Sequence, residues 1–484
     1  MKSAAAGFEG VIGLEIHARL LTDTKIFCGC STRFGDKPNT NVCPVCLGLP
    51  GALPVLNRRA VDFAVKAALA LNATVQEHSV FARKNYFYPD LPKGFQISQY
   101  EQPLATEGAL EYAASGASMR VGIIRVHMEE DAGKSLHEGF ADSDRKTYVD
   151  FNRSGTPLIE IVTHPDLRSA GEASEAFRRL REILTALGVN DGNMEEGSLR
   201  CDANVSVRPL GETALGTKTE VKNINSFRFL EKALEYEIER QIGVLQSGGV
   251  IVQETRLWDE GARQTFSMRG KEDADDYRYF PEPDLPPVRV SRARIEEIRA
   301  AIVELPDARR QRLVASYALS EVDVMALEGN NLISLFEETA RASGHPKAAF
   351  NWVSGEVARK LNALGERFDR ERVRAPALAG LIQLVEQGTI SASIAKSVFE
   401  KMYETGGSAE DIVKADGLVQ IGDQDAILAN VREILAGHQD AVTQYRNGKT
   451  STFGFLVGQV MKATGGKANP KLVNDLLRRE LEQP

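Results

Sequence analysis

The strongest constraint on this chain is an alternation of period two whose second face carries chemistry. In Val11–Leu20, Ile12, Leu14, Ile16 and Leu20 fall on one side, while Val11, Gly13, Glu15, His17 and Arg19 fall on the other. A β-strand sends successive side chains to opposite faces, so this segment buries one face and presents a carboxylate, an imidazole and a guanidinium on the other. Glu15 and His17 stand roughly 6.5 Å apart along such a strand, close enough to share a cation.

The same habit returns along the chain. Gly122–Glu130 places Ile124, Val126 and Met128 on an apolar side and runs into Glu129, Glu130 and Asp131, followed by Gly133 and Lys134. Arg200–Arg208 alternates Cys201, Ala203, Val205 and Val207 with Arg200, Asp202, Asn204, Ser206 and Arg208, and Lys218, Glu220 and Lys222 share a further face. Interleaved acids and bases describe a sheet covered by helices on its apolar face, with a charged cup on its open face. Carboxylates and a histidine suit Mg²⁺, and the Arg and Lys between them suit phosphate oxygens. Gly133-Lys134-Ser135 has Met128 where a phosphate-cradling loop needs its first glycine, so nucleotide binding here does not rest on a Walker A cradle.

Three helices are expected among the strands: Ala60–Leu71, Ala173–Leu187, and one capped by Ser226 that carries Leu230, Leu234, Ile238, Ile242 and Leu245 to a stop at Gly248-Gly249. After Pro281–Pro287 the pattern becomes helical throughout. At 484 residues the chain exceeds one ordinary core. The expected architecture is α+β: an antiparallel-sheet cradle domain over 1–293 with helices on one face, then two all-α C-terminal domains over 294–404 and 405–484. No apolar run of membrane-spanning length and no secretory leader are visible, which points to the cytoplasm. The net charge of −8 excludes a uniformly basic coat, yet residues 443–484 hold seven Lys or Arg against three acids, a local +4.

Four of the five cysteines crowd into nineteen residues as Cys28-Gly-Cys30 and Cys43-Pro-Val-Cys46, with a polar loop between the pairs. Two tight pairs of thiols suit a closed tetrahedral Zn²⁺ site of structural role. Cys201 and Trp258 sit in strand patterns and read as packing residues.

Particular runs carry a family resemblance: Gly13–His17, Cys43–Gly51, Lys84–Asp90, His127–Lys134, Asp150–Leu158, Met194–Asn204, Thr219–Phe227 and Asp276–Asp284. In their residues and order they resemble the B-subunit family of the aspartyl/glutamyl-tRNA amidotransferases. The resemblance implies a chain that binds misacylated Glu-tRNA(Gln) or Asp-tRNA(Asn) and uses ATP and Mg²⁺ to activate the side-chain carboxylate. It implies a heterotrimer with an amidase, the A subunit, which frees ammonia from glutamine, and with a small C subunit. It also assigns Glu15, His17 and Glu130 as metal ligands, with Glu129 and Glu220 beside them, and Lys84 near the reacting groups. Arg153, Ser154 and Gly155 would supply donors to phosphate or to the aminoacyl end. In the helical tail, Lys462, Lys467, Lys471, Arg478 and Arg479 would contact the tRNA body through its phosphates. A competing reading is a non-catalytic, zinc-clipped tRNA-binding scaffold, and a third is a free-standing RNA-modifying enzyme. The converging charges on the Glu15/His17 face favour chemistry over a scaffold.

Overall fold

The computed structural model describes residues 7–482 apart from 115–116, 138, 140–141, 144, 271–276, 366–371, 419–423 and 466–467. Lys467 and Asp276 therefore lie outside the described residues. The chain divides into two compact units, Met1–Arg309 and Arg310–Pro484.

The first unit is built on a nine-stranded sheet. Its centre is the strand Phe8–Arg19, paired antiparallel with Pro157–Thr163 on one side and Leu199–Pro209 on the other. Beyond Pro157–Thr163 lie Ala117–Glu130, Ala105–Ala114 and Thr74–Val75; beyond Leu199–Pro209 lie Thr219–Ile224, Glu254–Asp259 and Gln264–Gly270. The sheet is not wholly antiparallel, because Thr219–Ile224 and Glu254–Asp259 run parallel. The helix Phe227–Gln246 that joins them makes this possible, since a parallel pair needs a crossover between its strands.

Each expected helix forms, with a polar cap holding its first free amides. Asn57 accepts from Arg59 N and Ala60 N at the start of Arg58–Ala70, Ser169 from Glu172 N ahead of Ala170–Ala186, and Ser226 from Phe229 N ahead of Phe227–Gln246. Their apolar stripes meet Ile12, Leu14, Ile16, Ile159, Ile161, Cys201, Ala203 and Val205 in one buried core. Trp258 is buried in the same core. The other sheet face is left to polar groups.

The alternation in Gly122–Glu130 is broken once. Residues 163 and 162 of the neighbouring strand face Ile123 and Arg125, so Ile124 is skipped by a bulge. Ile123 is buried at 1% exposure while Ile124 stands 40% exposed, which reverses the side expected for Ile124. A bulge adds one residue to a strand and so flips the faces upstream of it. His127 and Glu129, past the bulge, keep the cup-facing phase.

The helix Arg292–Ala300 lies almost wholly beyond residue 293 and still belongs to the first unit. Ile295 and Ile298 join its core, and Arg294 is held to Asp62 at 2.6 Å. The second unit contains two separate apolar clusters, one between Leu313 and Val413 and one between Ile427 and Leu481. In the last helix, Pro470–Glu482, Val473, Leu476, Leu477 and Leu481 face inward, with Leu472 packed at the margin. No described helix is long and apolar enough to cross a membrane.

Candidate active site and cysteine clip

The open face of the sheet forms the floor of a cavity of about 580 Å³. Register explains why its charges converge. His17 is paired with Glu160 on one side and Arg200 on the other, and Glu160 is paired in turn with His127. Adjacent strands lie about 4.8 Å apart, so residues in register on one face form a row across the sheet. The row here is Arg200, His17, Glu160, His127. Glu129, two residues after His127, closes over it from the same strand.

Distances show how tight the group is. His17 Nε2 lies 3.4 Å from Glu160 Oε2 and 4.0 Å from Glu129 Oε1. His127 Nε2 lies 3.4 Å from the same Glu160 oxygen and 3.9 Å from Glu129 Oε2. One ligand atom each from His17, Glu129 and Glu160 falls within 4.8 Å of the others. Two buried carboxylates this close repel unless a cation or proton lies between them. Burial alone would lower the His17 pKa, but its hydrogen bond to Glu160 and the charges of Glu160 and Glu129 hold it above the ordinary 6.5. Burial likewise works against ionised Glu160, yet His127 and His17 hold its carboxyl well below the usual range. The donor set of one imidazole and two carboxylates fits Mg²⁺ or a similar hard cation completed by water or substrate oxygens.

A second acidic row flanks the first. Glu15 faces Asp202 across the strand pair, and its Oε1 accepts from Asn204 Nδ2 at 2.8 Å. Lys222 Nζ bridges Asp202 at 2.7 Å and Glu220 at 3.0 Å. Glu220 also accepts from Thr255 Oγ1. Arg200 Nη2 donates to Asp131 at 3.1 Å. Although Asp131 is buried, which would raise its pKa, Arg200, Arg153 and Arg19 hold it low. On a further wall, Lys84 Nζ lies 4.8 Å from the centre of the Tyr277 ring, and despite burial its pKa is raised, chiefly by the charge of Glu129.

The cavity thus brings together Glu15, His17, Lys84, Glu129 and Glu220 from among the sequence candidates. It leaves out Glu130. Consecutive strand residues point to opposite faces, and Glu130 instead accepts from Ile97 N at 2.9 Å and pairs with Lys93. It lines a separate cavity of about 200 Å³ with Cys46, Lys25 and Arg83, and the carboxylate grouped with His17 and Glu129 is that of Glu160. Arg153, Ser154 and Gly155 also lie off the cup. Arg153 donates to Ala132 O, Ser154 Oγ to Cys46 O, and a Cβ on Gly155 would sit 3.5 Å from Cys46 Cβ. Ser154 and Gly155 brace the loop at Cys46, whereas Arg153 holds the turn at Ala132 and Gly133 and lies 3.6 Å from Asp131, which lines the cup. Glu160 escaped sequence reasoning because it is a single acid in the apolar run Pro157–Thr163; the Ile159, Ile161 alternation around it is the signal that marks its face.

Cys28, Cys30, Cys43 and Cys46 offer four sulfurs within 4.8 Å of one another. The Cys43 and Cys46 sulfurs are 3.9 Å apart, close to the roughly 3.8 Å edge of a tetrahedron with Zn–S bonds near 2.3 Å. The hydrogen bond from Cys28 draws the Cys46 thiol down to about 4 against its burial, aided by Cys43 N and the Lys25 ammonium, while the Cys28 thiol is pushed up. Lys25 Nζ donates to Cys46 Sγ at 3.5 Å. Four clustered sulfurs, which a dication would hold as thiolates, fit a tetrahedral ion and leave no coordination position for chemistry.

In the second unit, Lys462, Lys471, Arg478 and Arg479 lie on helices at the surface, and Arg478 also lies 5.4 Å over the Phe453 ring.

A broad half-wet sheet, a buried acid–imidazole cluster ringed by bases, and a detached cysteine clip define a class: a cradle-type domain with two candidate metal sites. Comparison with known proteins narrows it. Residues 10–296 match the GatB/GatE catalytic domain and residues 334–481 match the GatB domain. The chain is 54% identical to the B subunit of the aspartyl/glutamyl-tRNA(Asn/Gln) amidotransferase of Carboxydothermus hydrogenoformans, over 98% of this chain and 99% of the relative. It is 54% identical to the B subunit of Thermodesulfovibrio yellowstonii over 98% and 100%, and 53% identical to that of Geobacter sulfurreducens over 98% and 99%. The chain belongs to the B-subunit family of the aspartyl/glutamyl-tRNA(Asn/Gln) amidotransferases.

Proposed function

We propose that the cup phosphorylates the side-chain carboxylate of misacylated Glu-tRNA(Gln) or Asp-tRNA(Asn) with ATP and then hosts its conversion to the amide. The observation that carries this is the convergence of His17, Glu129 and Glu160 from three adjacent strands, with Lys84, Arg200 and Lys222 around them. A carboxylate resists ammonia because oxide would have to leave. Attack of its oxygen on the γ-phosphorus, with ADP departing, makes phosphate the leaving group instead. Ammonia then bonds to the acyl carbon and phosphate leaves. Bound Mg²⁺ supplies charge neutralisation of the polyphosphate. The chain's own part is to hold that charge in place: His17, Glu129 and Glu160 on one ion, Lys84 and Lys222 as mobile point charges, and Arg200 as a fixed fork. Ammonia comes from glutamine in a partner amidase, the A subunit, with a small C subunit completing a heterotrimer. Lys462, Lys471, Arg478 and Arg479, with Lys467, hold the tRNA body through phosphates. The cysteine cluster binds Zn²⁺ structurally.

The test is tRNA-dependent ATP hydrolysis by the assembled enzyme. His17→Ala and Glu160→Gln should each lower it by about 10²–10⁴-fold, the scale of removing one or more groups that stabilise the transition state, with tRNA affinity nearly intact. Native rates in both variants would leave only a zinc-clipped tRNA-binding scaffold.

A further inference from the structure

We infer that Tyr100 and Tyr279 form an adenine-binding platform at the edge of the cup; this rests on reading the cup as a nucleotide site. Four tyrosines line one side of the cavity in an unbroken chain. Tyr86 meets Tyr277 edge-on at 5.9 Å, and Tyr277 meets Tyr279 edge-on at 6.0 Å. The last pairing differs: Tyr279 and Tyr100 are parallel within 4° at 4.2 Å. One face of Tyr100 is thereby covered, and the residue stays 46% exposed.

The backbone under this wall is pinned. Asn85 N donates to Tyr277 O at 3.0 Å, and Asn85 Nδ2 donates to Arg278 O at 2.8 Å. These bonds tie the tyrosine segment to the strand that carries Lys84. The cation sits over one end of the wall. Lys84 lies over the rings of Tyr277 and Tyr86, whereas the rings of the stacked pair have no cation over them among the described residues. A nucleotide has the same polarity, with phosphates at one end and a neutral aromatic ring at the other. Flat rings offered to a base contribute by stacking, which needs no hydrogen-bond code. Lacking a glycine-rich cradle, the cup has to orient its nucleotide by side chains, and this pair is the flat surface it offers. Two adenosines belong to the reaction, that of ATP and that at the 3′ end of the tRNA, and both carry the ring the platform would take.

The experiment uses the assembled enzyme with Tyr100→Ala, Tyr279→Ala and Tyr100→Phe. Loss of one stacking partner should raise the KM for ATP by about 10- to 100-fold with kcat within about threefold, and Tyr100→Phe should restore it. Tripolyphosphate, which has the phosphates and no base, is the control, and its inhibition constant should stay within about twofold. A rise confined to the KM for aminoacyl-tRNA would assign the platform to the terminal adenosine and still support it. Unchanged KM values for both substrates, or an equal loss of tripolyphosphate binding, would overturn it. Its failure is separable from that of the phosphorylation reading. If His17→Ala hydrolyses ATP normally while Tyr100→Ala weakens ATP binding measured by calorimetry, the cluster's role falls and the platform stands.

Discussion

The first unit holds two groups of side chains that could hold a metal ion, and they are assembled in opposite ways. The cysteine clip draws all its sulfurs from one stretch between Cys28 and Cys46, with Lys25 and the turn at Ser154 and Gly155 packed against it. The cup draws His17, Glu129 and Glu160 from three strands of the sheet, placed by register alone. A local cluster can hold its ion however the rest of the domain is packed, and it orders a polar loop that has no apolar anchor of its own. A cluster set by register exists only when the sheet is complete, and its buried carboxylates then oppose folding until a proton or a metal ion lies between them. The expectation is that stability depends on the clip and chemistry on the cup.

The sharpest break of that division is to remove each site in turn. Cys43→Ser with Cys46→Ser, or dialysis against a strong chelator, should destabilise the protein by several kcal/mol and lower the Tm by on the order of 10 °C. Glu160→Gln, scanned without metal at a pH above the raised His17 value, should leave the Tm unchanged or raised, because it relieves repulsion with Glu129 in the cup. Calorimetric scans of both variants decide the matter, and a Tm loss in Glu160→Gln equal to that in the cysteine variant would erase the distinction.

Protons compete with the cation in the cup, which supplies the next effect. His17 is raised above 6.5, so its protonation stabilises the fold fully below its unfolded value and that stability is lost as pH rises through the folded value. Glu160 is depressed, so its contribution is full above 4.5 and is lost as pH falls through its folded value. The metal-free cluster thus favours the fold most between 4.5 and 6.5, the window in which a metal must displace the His17 proton. Titration with Mn²⁺ should show affinity falling about tenfold per pH unit below the His17 pKa, with His17→Gln flattening the slope. A pH-independent affinity in the native protein would place the ion elsewhere.

The smallest expected effect is in the tail. Lys471→Ala or Arg479→Ala should weaken tRNA binding about two- to threefold and reduce the salt slope by roughly 1 or less for each phosphate interaction removed. Filter binding across a salt series reads this directly. An unchanged slope for all the basic residues tested would remove the tail from the tRNA interface.

Much of the cup is legible in the sequence alone. Period two is a local property, and it assigns the faces of Val11–Leu20, Arg200–Arg208 and Lys218–Lys222 as they are found, with Ile12, Leu14, Ile16, Cys201, Ala203, Val205 and Val207 buried. The one reversed residue, Ile124, sits at a bulge, which depends on what the neighbouring strand offers. Capping is legible for the same local reason: Ser226 needs only the three residues that follow it.

Residue types and their periods along the chain therefore determined the wet face, the helices that cover its back, and the grouping of four cysteines. Register between strands and packing between loops decided the rest. Register seated Glu160 beside His17 and His127, and packing between loops brought Gly155 against Cys46 and Tyr100 onto Tyr279. Pairing across a sheet is an interaction between segments far apart in sequence, so its outcome is set by the packing of the whole core, and no local pattern contains it.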